Sequence, residues 1–76
     1  MSDASAWPVW RGPRAGVVEA FDPERGVGTI AAQGGSFFFH CTALTDGSRE
    51  VEVGREVLFV VRPAHGRLEA TSVVKR

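Results

Sequence analysis

The stretch Arg25 to Cys41, RGVGTIAAQGGSFFFHC, limits the fold more than any other part of the chain. It reads as two short strands joined by a tight turn. In Val27 to Ala32, alternation puts Val27 and Thr29 on one face and Gly28 and Ile30 on the other. Ile30 then faces a core and Thr29 faces solvent. Gln33-Gly34-Gly35 supplies a hairpin turn, because paired glycines reach the dihedrals that such turns need. Ser36 to His40 alternates as well: Phe37 and Phe39 share one face, Phe38 and His40 the other. A strand with one buried face cannot bury both pairs. One of them is therefore a surface pair carrying an aromatic ring or a histidine.

The rest of the chain supplies partners for this hairpin. Ala15 to Phe21 is strand-like by its β-branched content. Asp22-Pro23-Glu24-Arg25-Gly26 is a turn, with Pro fixing one φ and Gly permitting a positive one at the exit. Thr42 to Val53 has no clean period, and a short helical turn is expected around Thr42–Leu44. Glu56 to Arg62 is a fourth strand with Val57, Phe59 and Val61 inward. Pro63 to Gly66 is a turn. Arg67 to Val74 is a fifth strand with Leu68, Ala70 and Val73 as core residues, and its uneven spacing implies a bulge. Short strands, frequent turns and no helical period make an all-β barrel or sandwich.

Residues 1–14 have no strand or helix period and are read as a flexible N-terminal arm, with the barrel running over residues 15–76. The arm holds both tryptophans, Trp7 and Trp10. They either fold back on the barrel or meet bases or a partner, with Arg11 and Arg14 nearby.

A chain of 76 residues is one domain. It buries only about 60% of its unfolded surface, so each inward strand residue matters. The single Cys41 allows neither an internal disulfide nor a Cys-based zinc site and reads as a small apolar residue. No leader or membrane-spanning run is visible, so a cytoplasmic protein is expected. The G-V-G at 26–28 lacks the G-K-[ST] and following helix of a phosphate loop. No paired acid and base suggests a catalytic pocket, so no enzyme and no cofactor are expected.

Net charge is zero, but its distribution is uneven. Asp3 against Arg11 and Arg14 leaves residues 1–15 at +1. Arg25, Arg49 and Arg55 against Glu19, Asp22, Glu24, Asp46, Glu50, Glu52 and Glu56 leave residues 16–60 at −4. Arg62, Arg67, Lys75 and Arg76 against Glu69 leave residues 61–76 at +3. Phosphate binding rests on Lys and Arg displacing counterions, so the acidic middle argues against strong binding there. Eight of the nine basic residues are arginine, which both pairs with phosphate and stacks on rings.

G-V-V-E-A-F-D-P-E-R-G-V-G-T-I from Gly16, followed by F-F-F-H-C-T-A-L from Phe37, resembles the cold-shock domain. That family's usual pattern is G-x-V-K-W-F-N-x-x-K-G-F-G-F-I, then V-F-V-H-F-S-A-I. The resemblance runs to about Val74. It implies a five-stranded antiparallel OB-type barrel that binds single-stranded RNA or DNA through an aromatic face on its first three strands. By the same resemblance, Phe21, Phe38 and His40 match binding positions, and Arg25 stands where a basic residue is usual. Val27 and Thr29 stand where the family has stacking phenylalanines, Ala20 where it has an exposed tryptophan, and Cys41 at a further aromatic position. Glu19 reverses the charge of a usual lysine. The phenylalanine of the following loop is absent, with Arg49 the nearest residue.

Magnitudes set the functional expectation. Stacking a base on an aromatic ring is worth roughly 1–3 kcal/mol. Losing even three such rings costs on the order of 3–5 kcal/mol, about a hundred- to several-thousand-fold in affinity. The expected function is therefore weak or retuned binding of single-stranded nucleic acid by a monomer or weak dimer, with no membrane role. The alternative is a protein-interaction or regulatory module that kept the barrel and lost the ligand. The folded charge map discriminates: Arg62, Arg67 and the arm arginines beside Phe38 and His40 favour nucleic acid, whereas Glu19, Glu50 and Glu52 around them oppose it.

Overall fold

A computed structural model describes residues 13–64 and 66–76. Residues 1–12 of the expected arm, with Trp7, Trp10 and Arg11, and His65 lie outside the described residues. Five strands follow one another: β1 Arg14–Asp22, β2 Val27–Ala32, β3 Gly35–His40, β4 Glu56–Ala64 and β5 Arg67–Lys75. They close into a barrel in the order β1-β2-β3-β5-β4. The expected all-β five-stranded barrel is borne out. One seam departs from the antiparallel expectation: β3 meets β5 in parallel, at Phe38 opposite Glu69. Together with the β1–β4 pairing, this short seam completes the closed sheet, and the long segment between β3 and β4 brings the chain back so that β5 runs the same way as β3.

The interior is filled by the residues that alternation points inward. Val18, Ile30, Phe39, Val57, Phe59 and Val73 are almost wholly buried, with Phe37, Leu44, Val51, Val61 and Ala70 around them. The rings of Phe37 and Phe59 meet at 5.6 Å. Thus β3 resolves its two pairs as the period requires, with Phe37 and Phe39 inside and Phe38 and His40 outside.

β1 does not keep a simple period. Val18 pairs with Ile30, but Ala20 pairs with Thr29, so Glu19 is the extra residue of a bulge. The bulge switches parity: Val18 points into the core and Ala20 points out beside Thr29. It also bends β1 so that its first half pairs with β4 and its second half with β2. Arg14 already belongs to β1, one residue earlier than expected. Its guanidinium lies 4.9 Å from the Phe37 ring centroid and donates to the Gln33 carbonyl.

The β1–β2 turn is held by Asp22, whose Oδ1 accepts from the amides of Glu24 and Arg25 at 3.0 and 3.3 Å. Gly26 leaves the turn at φ +70°, where a side chain is strained. The helical turn falls at Cys41–Ala43, one residue before the expected position. β4 continues through Pro63 to Ala64, where a turn was expected. Beyond Phe59, β4 pairs with β5 alone among the described strands, and a proline is tolerated on such an edge. The same geometry corrects Leu68. It keeps the parity of Ala70 but sits opposite Pro63 in a two-stranded extension, where it is 40% exposed. The expected β5 bulge is present between the pairs Leu58↔Val74 and Val60↔Thr71, with Ser72 at φ +49°. The 42–53 segment is tied to β5 by Lys75, which reaches Asp46 at 2.8 Å and Ser48 Oγ at 3.0 Å.

Candidate nucleic-acid interface

The outer face of β1, β2 and β3 carries a shallow apolar depression of 280 Å³. Ala20, Phe21, Val27, Gly28, Thr29 and Phe38 line it. Register explains their convergence. Ala20, Thr29 and Phe38 sit side by side on three adjacent strands, and Val27 sits opposite His40 one step along. The floor is low because alanine, valine and threonine stand there. A Cβ on Gly28 would come within 2.9 Å of Phe39 Cε1 and run into the Ala20 carbonyl, so this close strand approach admits only glycine.

Four of the six residues expected at the site, Phe21, Val27, Thr29 and Phe38, therefore line one depression. His40 does not line it and meets them through Phe38. Its exposed ring stands perpendicular to that of Phe38, with centroids 5.0 Å apart. Phe21 is more embedded than a free stacking ring. It lies nearly parallel to Phe39, 13° between planes and 6.0 Å between centroids, and packs on the core. Arg25 does not line the depression. Its side chain is 80% exposed and leans 3.8 Å from Asp22, a residue of the rim.

The structure adds two residues from β5. The guanidinium carbon of Arg67 lies 4.1 Å from the Phe38 ring centroid, and Arg67 Nε is 3.5 Å from the Glu69 carboxylate. Glu69 is buried, the one charged side chain in the interior among the described residues. Neither residue carries a local sequence signal, since the β3–β5 pairing that places them joins distant parts of the chain. By charge, the sequence marks Arg67 only as one of the arginines whose place beside Phe38 and His40 separates the two readings, and it assigns Glu69 no such part.

The charge map is accordingly split. Arg67 converges on Phe38, and Arg62 is paired in register with Glu69 on the next strand. Arg14 is committed elsewhere, over Phe37. Glu50 and Glu52 line a neighbouring 480 Å³ depression with Val51 and Lys75 that shares Phe21 with the first, and they do not surround Phe38. Glu19 is exposed at the β1 bulge. Cys41 is half-buried beneath the β1–β2 turn, where a Cβ on Gly26 would lie 2.8 Å from its sulfur. Among the described residues, no group of three His, Cys, Asp or Glu side chains is placed to hold a metal ion, and no helix is long and apolar enough to cross a membrane.

Comparison with known proteins agrees with this architecture. The family described as the "Cold-shock" DNA-binding domain matches residues 14–76. The chain is similar to the Cold shock-like protein CspE of Bacillus anthracis, 39% identical over 62 residues that cover 79% of this chain and 92% of that protein. It is equally similar to the Cold shock protein CspD of Bacillus subtilis (strain 168), 39% identical over 62 residues covering 79% of this chain and 94% of that protein. With the matched region spanning all five strands of the closed barrel, the chain belongs to the cold-shock domain family, whose described property is nucleic-acid binding.

Proposed function

We propose that this barrel binds single-stranded RNA or DNA on the outer face of β1–β3, weakly or with retuned preference, and acts as a binding module without catalysis. The observation that carries the reading is the apolar depression walled by Phe38 and Phe21, with His40 against Phe38. Ligand clefts run from about 300 Å³ upward, so this one is at the small end and suits a planar ring held on one side. Phe38 supplies an aromatic ring to its wall, and His40 beside Phe38 adds a second ring and a hydrogen-bonding nitrogen. Arg25 supplies an exposed cation for phosphate beside the turn. Ala20, Val27 and Thr29 remove stacking partners, and Glu19 adds repulsion, which together weaken binding.

Titration of labelled pyrimidine-rich and mixed oligonucleotides at low salt tests this reading. Saturable binding in the micromolar range is expected. No binding at high micromolar protein would overturn it.

One observation favours a second reading, a protein-interaction module. Val17 and Val74 are 40% and 43% exposed on the outer face of β1, β4 and β5. Ala15, Leu58 and Val74 form a row across those strands. A partner that still binds a Phe38→Ala, His40→Ala variant would support this reading over the first.

A further inference from the structure

We propose that the Arg67 guanidinium is itself a stacking platform, carrying the binding surface from Phe38 onto β5. The proposal rests on the nucleic-acid reading and deepens it. β3 lies between β2 and β5, so Phe38 has two flanks. On the β2 flank it walls the depression with Thr29 and Val27. On the β5 flank, Arg67 lies over its ring at 4.1 Å. A base reaching Phe38 from that flank meets the guanidinium and not the ring.

An exposed arginine ordinarily samples many rotamers, and ordering it costs entropy. Here the Phe38 face and the Glu69 carboxylate both hold it, while 55% of its side chain remains exposed. A planar, weakly hydrated guanidinium that lies over a ring and keeps much of its side chain exposed can offer a stacking surface to a base. Glu69 is only 5% exposed and stands beside the guanidinium, so its carboxylate offsets part of the arginine's charge. Arg67 therefore contributes stacking more than phosphate attraction. It supplies, from β5, part of what Ala20, Val27 and Thr29 remove from β1 and β2.

Oligonucleotide titrations of the wild type, Arg67→Ala and Arg67→Lys test this, each at several salt concentrations. Both substitutions are expected to weaken binding about tenfold, since lysine keeps the charge and loses the plane. The dependence of log K on log salt is expected to change by less than the ~0.7 of a lost single-strand phosphate contact. In the wild type, the Arg67 Nε–H resonance should shift upfield on saturation through the ring current of a stacked base, a readout that needs no folded variant. An Arg67→Lys protein that binds like the wild type would reduce Arg67 to a point charge. An Arg67→Ala protein that binds more tightly would make Arg67 a cover over Phe38. Either result overturns the platform while leaving the nucleic-acid reading intact. A wild type that binds no oligonucleotide overturns both.

Discussion

The Phe38 ring touches a guanidinium over one flank and a histidine at its edge, and walls a depression on the other flank. It is half-buried and stands outside the core cluster, so its removal should act on ligand more than on stability. Phe38→Ala is expected to lower oligonucleotide affinity by about 1–3 kcal/mol, with little change in thermal midpoint; paired titrations and melts measure both. The converse substitution is more discriminating. Thr29 faces outward between Ala20 and Phe38 and is not part of the core, so a phenylalanine there has room. Thr29→Phe should tighten binding about five- to tenfold by adding a stacking ring, and unchanged affinity in the same titration would show that the depression is not where bases lie. Arg25 acts differently. Arg25→Ala should weaken all sequences alike and reduce the salt dependence by the ~0.7 of one single-strand phosphate contact.

At the scale of the elements, one feature depends on close backbone approach and another on a side-chain tie. β2 passes so close to Phe39 and to β1 at Gly28 that a methyl group has nowhere to go. Gly28→Ala should destabilise the barrel by about 1–3 kcal/mol through overpacking, read as a lower denaturant midpoint. The 42–53 segment hangs on β5 through Lys75. The hydrogen bond from Lys75, with the Ser48 amide, draws the Asp46 carboxyl down to about 2 from its ordinary 3.8. A carboxyl with a depressed folded-state value stabilises the fold above its unfolded value. That contribution is lost as pH falls from about 4 toward 2. Asp46→Asn should therefore flatten the fall of stability over that acid range and leave the slope near neutral pH unchanged, as denaturant titrations at a series of pH values would show.

The whole molecule shows which parts of this arrangement a sequence exposes. β3 sits mid-sheet with a strict period, so the division of Phe37 and Phe39 from Phe38 and His40 was legible from alternation alone. The glycine turns and the inward valines of β4 were legible for the same local reason. Parity at Ala20 was not, because the Glu19 bulge depends on β1 serving two neighbours at once. Leu68 and Pro63 were misread because exposure there follows from where the barrel stops pairing, which no local pattern records. Arg67 and Glu69 entered the site through a parallel seam between distant segments. Family likeness pointed to six positions; the structure brings Phe21, Val27, Thr29 and Phe38 round one depression, sets His40 against Phe38 and leaves Arg25 at the margin. Among the described residues, uncompensated cations are scarce near Phe38, and this has a global consequence. Binding should depend on salt only shallowly, with a log–log slope no steeper than about −2, corresponding to two or three phosphates.

The most direct test is chemical-shift mapping of the full chain titrated with a pyrimidine-rich single-stranded oligonucleotide at low salt. Saturable shifts centred on Phe38, His40, Thr29, Val27 and Phe21, and spreading to Arg67, are the predicted result. Shifts confined to the Val17, Leu58 and Val74 face, or none at high micromolar concentration, would contradict the account.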